Sequence, residues 1–434
     1  MSSQNNENRE ILNIALPAII SNITVPLLGL IDVTIVGHLG ATSYIGAIAI
    51  GSLLFNIIYW LFGFLRMGTG GMTSQAFGAN NRQETARLLT RSLGVGLIAA
   101  ILLILFQSPI RWIAFTFIST SSEVERLASL YFHICIWGAP AMLGLYSFTG
   151  WFIGMQNSRY PMYIAITQNI VNILASLLFV YVFHMKIEGV AWGTLLAQYA
   201  GFIMAFFLWI YRYGNLRPHM HWKSLADRQA MSRFFQVNRD IFFRTLCLIA
   251  VTTYFTSAGA SQGETILAVN TLLMQLFTLF SYFMDGFAYA GEALTGKHIG
   301  ANDQASLRQM VRQLFVWGIG LSITFTLLYG IGAEEFLRLL TNEDSVIQAS
   351  STYYYWVLAI PLAGFAAFLY DGIFIGATAT SLMLRAMIIA SLAFFLVYFG
   401  CREALGNHAL WMAFITYLAL RGILQGFLGR KILR

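Results

Sequence analysis

The sequence predicts an all-α polytopic membrane protein with twelve transmembrane helices arranged in two six-helix bundles. Three observations lead to this fold class. Only 10% of the 434 residues are charged and 58% are hydrophobic, whereas a soluble domain carries about 25% charged residues. The chain also contains twelve long apolar stretches, and its first half resembles its second half.

The composition excludes most cytosolic enzymes, disordered proteins and nucleic-acid binders, because so little charge cannot cover a surface that faces water. The apolar stretches are unbroken, whereas the strands of a β-barrel alternate over about ten residues. Each stretch is near the roughly 20 residues that a spanning helix needs. The predicted segments are 11–36, 44–70, 88–108, 128–154, 160–183, 188–211, 241–258, 264–290, 311–332, 350–376, 381–400 and 407–428.

The longest polar stretch separates the sixth segment from the seventh and is rich in Arg and His. It predicts an N-terminal lobe over 1–211, a linker over 212–240 and a C-terminal lobe over 241–434.

Basic residues mark the cytoplasmic side of a membrane protein, and here they follow the even-numbered segments. We therefore expect the linker and both termini to be cytoplasmic. Residues on that side include Arg82, Arg87, Arg91, Arg159, Lys297, Arg308, Arg312 and Arg385. The opposite side has only Arg111, Arg126, Lys186, Arg338 and Arg402, and it holds most of the acids.

The two halves repeat with an offset of 222 residues. Residues 78–96 read GANNRQETARLLTRSLGVG, and residues 300–318 read GANDQASLRQMVRQLFVWG. Both GAN loops follow the second helix of their half, so the repeat has parallel topology. Membrane proteins of this design place their binding site between the halves near the midplane, which predicts a central cavity. The glycine pairs at this offset are Gly78 and Gly300, Gly150 and Gly372, and Gly154 and Gly376.

Asp32 is the clearest ionisable residue inside an apolar segment, VPLLGLIDVTIVG. A charged Asp at a helix centre costs about 2.5–3.5 kcal/mol on insertion scales, so this carboxyl is a candidate for binding a proton or a cation. The alternative is an Asp that bonds a neighbouring helix and holds the bundle together. Pro17 and Pro26, on the same segment, each favour a kink, although Pro is also simply more frequent in membrane helices.

The fifth segment, QNIVNILASLLFVY, places Asn169, Asn172 and Ser176 near one helical face. Thr194 in the sixth segment is a candidate neighbour. With Asp32, these oxygens suit a proton relay or a small cation. Polar contacts between helices would need the same residue types, so spacing alone leaves both interpretations open.

The C-terminal half has its own acids, and Asp285 and Asp371 are candidates for a second polar centre. Each precedes a glycine, which permits close helix approach. Arg244 is expected near the cytoplasmic end of the seventh segment, where its charge would reach the membrane surface or pair with a residue of a loop. The spacing of His, Cys, Asp and Glu predicts no metal site, catalytic triad or cofactor loop.

The six-plus-six arrangement, Asp32 in the first helix and the paired GAN loops resemble the multidrug and toxic compound extrusion (MATE) family over essentially the whole chain. The strings NRDIFFRTL (238–246), MDGFAYAGEALTG (284–296) and DGIFIGAT (371–378) resemble its DinF-type branch. The resemblance implies two bundles around a central cavity that alternate between outward and inward states.

The resemblance also implies a function, namely an inner-membrane antiporter that exports cationic or amphipathic compounds. Asp32 matches the family's first-helix carboxylate and Pro17 its bending proline. Asn172 and Thr194 match its N-lobe polar cluster, in which Ser176 stands where some relatives have a carboxylate. One acid fewer favours protons over sodium ions as the coupling ion.

We expect no enzyme activity, no cofactor, no nucleic-acid partner and a monomer in the lipid bilayer.

The alternative function is a lipid-linked saccharide flippase of the same fold. It would need a cavity rich in Arg and Lys to hold pyrophosphate. The membrane segments hold almost none, which favours the antiporter.

Overall fold

The computed structural model describes residues 2–37, 42–118, 120–341, 343–430 and 432. The described part does not include Met1, Leu433 and Arg434, so the predicted location of the two termini lies partly outside it. The side chains of a few further residues, among them 25–30 of the first helix, are also outside the description.

The regular elements of the described ranges are helices. They are α1 (Ser2–Gly37), α2 (Thr42–Leu61), α3 (Phe64–Gly78), α4 (Arg82–Leu105), α5 (Gln107–Phe117), α6 (Ser122–Cys135), α7 (Ala139–Gly154), α8 (Arg159–Leu177), α9 (Ile187–Tyr213), α10 (Arg228–Ala260), α11 (Glu264–Gly300), α12 (Gln304–Ile331), α13 (Ala333–Leu340), α14 (Asp344–Ser351), α15 (Tyr354–Gly376), α16 (Thr380–Leu405) and α17 (Asn407–Gly429). A π-helical turn follows α8 at Leu178–Val182, and single 3-10 turns lie at Ile136–Gly138, Gly214–His219 and Trp222–Ala226.

The all-α membrane fold is confirmed. Eleven helical stretches within the described ranges are long and apolar enough to cross a membrane, and the 36 residues of α1 cover the remaining predicted segment, 11–36. Several predicted segments contain breaks, and two of these breaks lie at a Gly or a Pro. Gly63 separates α2 from α3, and a 3-10 turn precedes α7, which begins next to Pro140. Gly disfavours a helix interior, and Pro suits a helix start because it lacks an N–H group.

The predicted linker, 212–240, is largely helical in the structure. It contains two 3-10 turns, and α10 begins at Arg228 instead of near residue 241. The polar composition did not predict the N-terminal extension of α10, because only scattered side chains such as Phe234 and Val237 are buried there.

Contacts divide the chain into two units. Unit 1 contains residues up to Ile19 together with Arg239–Arg434, and unit 2 contains Ile20–Asn238. The beginning of α1 therefore packs with the C-terminal half. Lys297 of α11 forms a 2.7 Å ion pair with Glu10, and the Trp317 indole donates a 2.9 Å hydrogen bond to Asn8 Oδ1. The boundaries predicted for the lobes, 1–211 and 241–434, stay a prediction.

Polar contacts join the helices within each unit, as is common where lipid gives no hydrophobic drive for helix association. In unit 2, the hydroxyls of Thr69, Ser92 and Ser147 form a buried chain that links α3, α4 and α7. In unit 1, Asn270 and Asn407 exchange two hydrogen bonds of 2.8 and 2.9 Å between their amides.

The repeat is visible in equivalent contacts inside the two units. A methyl group added at Gly150 would lie 2.1 Å from the Arg66 carbonyl oxygen, and one at Gly372 would lie 2.0 Å from that of Ala288. Since 288 − 66 and 372 − 150 are both 222, α3 packs on α7 as α11 packs on α15. Only glycine permits this approach.

The turns at the two GAN sequences are also equivalent. Asn80 and Asn302 have φ angles of 53° and 54°, a left-handed conformation that Asn tolerates better than most residues. The next residue caps the following helix in both halves. Asn81 accepts a 3.0 Å hydrogen bond from the Glu84 N–H, and Asp303 accepts one of the same length from Ser306.

Gly150→Ala and Gly372→Ala are each expected to destabilise the protein by about 1–3 kcal/mol, the usual cost of overpacking. The added methyl meets a backbone carbonyl, which cannot turn aside as a side chain can. Gly320→Ala is the matched control, because Gly320 is exposed within α12 and its methyl would meet nothing within 4 Å. The midpoint of thermal unfolding in detergent is measured for the three variants. Equal midpoints for all three variants would contradict the assigned helix contact.

Candidate functional site

Asp32 lies in α1 and is only 6% exposed. Its Oδ1 atom has no hydrogen-bond partner among the described residues. The side chain is close enough to interact electrostatically with Tyr131 and Cys135 of α6. A carboxyl in such a position is costly to keep charged, and its protonation or pairing with a cation removes that cost.

Asn172 and Thr194 meet directly, as the sequence predicted. The Asn172 amide, fully buried on α8, donates a 3.1 Å hydrogen bond to the Thr194 hydroxyl of α9. Thr194 also lies within hydrogen-bonding reach of Tyr131. Tyr131 therefore connects the surroundings of Asp32 to the Asn172–Thr194 pair.

Ser176 is fully buried one helical turn after Asn172. A methyl group at Gly193 would lie 2.3 Å from its hydroxyl oxygen, so Gly193 lets α9 come close to this serine. The Ser176 hydroxyl and the Asn172 Oδ1 atom have no hydrogen-bond partner within the described ranges. With Asp32 Oδ1, three buried oxygens of the predicted cluster are thus uncompensated, which suits proton or cation binding better than a purely structural contact.

Asn169 holds α8 against α1. Its amide donates a 3.0 Å hydrogen bond to the carbonyl oxygen of Thr24, two turns before Asp32. Pro17 is buried on α1, but it belongs to unit 1, whereas Asp32 belongs to unit 2. The contact boundary falls after Ile19, two residues beyond this proline. Since Pro17 has no N–H, it removes one backbone hydrogen bond from α1 near that boundary.

Tyr131 and Cys135 are the residues of this cluster that sequence reasoning missed. Tyr131 is 4% exposed, and a buried tyrosine hydroxyl needs a polar partner. Their spacing of four places both on one face of α6. The string YFHIC contains both residues at this spacing. Aromatic residues are so frequent in this chain that the sequence did not distinguish Tyr131 from the others.

Asp371 is surrounded by basic and amide groups in unit 1. It pairs with Arg244, and its carboxylate accepts 2.6 Å hydrogen bonds from Arg421 and Gln425. All three groups are buried with it. Arg244 therefore pairs with a buried helix residue and not with a residue of a loop. Two arginines and one carboxylate leave this cluster with a charge of +1.

Asp285, the other predicted member of the C-terminal centre, is half-buried on α11 and interacts electrostatically with Tyr282. The Asp371 partners are Arg244, Arg421 and Gln425. The two aspartates thus lie in different surroundings. In the part of the chain that the structure describes, no group of three or more His, Cys, Asp or Glu is arranged to hold a metal ion.

Comparison with known proteins decides the family. The sequence profile of the MatE family matches residues 17–178 and 241–399. The chain belongs to the MatE family. Members of this family are transporters that use coupling ions, and they are not enzymes. The resemblance predicted from the GAN loops and Asp32 is confirmed.

Similarity to individual proteins supports this assignment. The chain is 35% identical over 433 residues to DNA damage-inducible protein F of Escherichia coli, covering 99% of this chain and 94% of that one. It is 24% identical over 357 residues to Multidrug and toxin extrusion protein 1 of Danio rerio, covering 79% and 58%. The crystal structure of the Vibrio cholerae MATE transporter VcmN in the bent form superimposes with a TM-score of 0.87 at 18% identity, covering 100% and 98%.

Proposed function

We propose that this MatE transporter is a multidrug efflux antiporter that exports cationic or amphipathic compounds in exchange for protons. The observation that carries the proposal is the buried Asp32 carboxyl with its uncompensated oxygen. Relatives named for multidrug and toxin extrusion support the substrate class. The bacterial relative of 35% identity supports an inner-membrane location, and the basic loops support cytoplasmic termini.

Protons are favoured over sodium ions because Asp32 is the only carboxylate of the predicted N-lobe cluster. The other predicted members of the cluster, Asn172, Ser176 and Thr194, are neutral. Hydroxyl groups both donate and accept hydrogen bonds. A proton needs one acceptor oxygen, whereas a dehydrated metal cation needs several. Tyr131 interacts electrostatically with Asp32 and lies within hydrogen-bonding reach of Thr194, so it is the candidate link in a relay.

The proposed cycle uses the charge of Asp32 as its switch. Charged Asp32 favours a cationic substrate nearby, and protonation removes that attraction. Because the charged form is costly in a dry environment, protonation favours a different conformation of α1, which bends at Pro17. A ligand shifts a conformational equilibrium only by its differential affinity, and Asp32 provides that difference. The substrate is then released outside.

Imposed ion gradients in proteoliposomes test the coupling ion. Vesicles loaded with a fluorescent cationic dye receive either a proton gradient or a sodium gradient at constant pH. We expect dye transport with the proton gradient, abolished by a protonophore, and background rates with sodium alone. Transport driven by sodium and indifferent to the protonophore would contradict proton coupling.

The lipid-linked saccharide flippase is the second candidate, and the buried Arg244 and Arg421 are the observation that favours it. Pyrophosphate recognition uses guanidinium groups. Both arginines are already paired with Asp371, which would compete with pyrophosphate. The antiporter is therefore preferred. Dye transport in the vesicles above distinguishes the two.

A further inference from the structure

The short helix α5 connects two membrane spans without entering the protein core. It follows the span Arg82–Leu105 and precedes the span that begins at Ser122, so it lies at a membrane surface. None of its residues is buried in the protein. Trp112 is 71% exposed and Phe117 is 83% exposed. Exposed aromatic residues on a helix at a membrane surface are typical of insertion among lipid headgroups.

An open cleft of about 810 Å³ lies between α5 and α6. Both helices belong to unit 2, so the cleft lies within one unit. Its lining combines basic, hydroxyl and aromatic groups with one acid. The side chains that matter most are those of Arg111, Arg126, His133, Trp112, Ser129 and Glu125.

Arg111 is positioned in the cleft by a neutral imidazole. Its guanidinium contacts His133 Nε2 at 3.2 Å. Because arginine only donates hydrogen bonds, this nitrogen must be the acceptor. The other ring nitrogen then carries the proton and donates to Gln107 Oε1 at 3.1 Å, while the Gln107 amide donates to the Ile104 carbonyl at 3.0 Å. This chain of donors orients Arg111 without neutralising it.

The cleft carries uncompensated positive charge. No ion pair in the described ranges includes Arg111 or Arg126. Glu125 also lines the cleft, so two guanidinium groups and one carboxylate give a net charge of +1. These are two of only five basic residues on the side of the membrane that is otherwise acidic. Ligand binding therefore explains these two positive charges better than the orientation of the protein in the membrane does.

We propose that this cleft binds the phosphate of an anionic phospholipid. Arg111 and Arg126 hold the phosphate, Ser129 adds a hydroxyl donor, and the exposed Trp112 and Phe117 lie between the headgroup and the first part of the acyl chains of the same lipid. A lipid is favoured over free phosphate because these aromatic groups adjoin the basic ones. Glu125 disfavours ligands of higher negative charge. The site is separate from Asp32 and does not depend on the proposed transport function.

Quenching of Trp112 by brominated phosphatidylglycerol tests the site. The protein has ten tryptophans, so the Trp112 signal is taken as the difference between wild type and Trp112→Phe. In mixed micelles, we expect the double variant Arg111→Gln/Arg126→Gln to weaken lipid binding about tenfold or more, since basic residues at a lipid surface attract anionic headgroups. Brominated phosphatidylcholine is expected to quench weakly.

Matched variants separate the site from general effects of charge. Arg338→Gln/Arg402→Gln removes the same charge from two exposed arginines elsewhere, and its lipid affinity is expected to equal that of wild type. His133→Leu removes the acceptor that positions Arg111 and should weaken binding, whereas His133→Gln restores an acceptor and should rescue it. Thermal unfolding confirms that each variant is folded.

Two results would overturn the proposal. One is equal quenching in the folded wild type and the folded Arg111→Gln/Arg126→Gln variant. The other is displacement of the lipid by excess inorganic phosphate when a different salt of the same ionic strength does not displace it. That result would assign the cleft to free phosphate. Retained lipid binding in excess phosphate, with loss only in the Arg111 and Arg126 variants, supports it.

Discussion

Replacement of Asp32 by Asn is expected to abolish drug-driven proton release from vesicles. Asn is nearly isosteric with Asp but cannot exchange a proton, so the switch of the proposed cycle is removed. Asp32 is buried and its Oδ1 atom has no partner in the described part of the chain. A neutral amide is less costly than a charged carboxylate in that position. The variant should therefore fold while its proton release falls to the level of protein-free vesicles.

The matched control for this experiment is Asp344→Asn. Asp344 is exposed and pairs with the exposed Arg338, so its replacement removes one acid without touching the cluster. We expect Asp344→Asn to keep full exchange. Full exchange in Asp32→Asn would eliminate Asp32 as the proton carrier. Loss of exchange in both variants would mean that the assay reports overall charge.

Replacement of Asp371 by Asn is expected to destabilise the protein by about 3–5 kcal/mol, the usual cost of removing one partner from a buried ion pair. Asp371 is the acid between two buried arginines, Arg244 and Arg421. Its loss changes the cluster charge from +1 to +2 with no acid left. Arg244→Gln changes the charge from +1 to zero, because the Asp371–Arg421 pair survives, and should cost much less.

The relative stabilities of the Asp371 and Arg244 variants test this charge assignment. Thermal unfolding of purified protein in detergent is measured for Asp371→Asn, Arg244→Gln and the double variant. We expect Asp371→Asn to be the least stable single variant, and Arg244→Gln to recover part of the loss when the two are combined. Asp344→Asn serves as the exposed control, since surface pairs contribute only about 0–1 kcal/mol. A less stable Arg244→Gln would show that its contacts other than Asp371 dominate.

Composition and periodicity predicted the helical fold, because spanning segments depend on local apolar runs and not on tertiary contacts. The 222-residue offset related Gly150 to Gly372, and the structure shows that both lie at close helix contacts. Thr194 was a candidate neighbour of Asn172, and the two side chains form a hydrogen bond. The role in coupling that the resemblance implies for them stays a prediction.

Other features depended on contacts that no local pattern reveals. Arg244 and Asp371 are 127 residues apart, and Arg244 alone looks like many arginines near a membrane surface. Tyr131 was hidden among numerous aromatic residues. The separate helix α5 was missed because its eleven residues are too few to span a bilayer, and none of its side chains is buried in the protein.

The first nineteen residues pack with the second half of the chain, and this has a consequence for biogenesis. Glu10 and Asn8 emerge from the ribosome early, whereas their partners Lys297 and Trp317 are synthesised long afterwards. The start of α1 must wait for α11 and α12 before its contacts form. Ile20–Asn238 forms a compact unit of its own, so the contacts within it can form while translation continues. Maturation of the protein therefore ends with the segment that was made first.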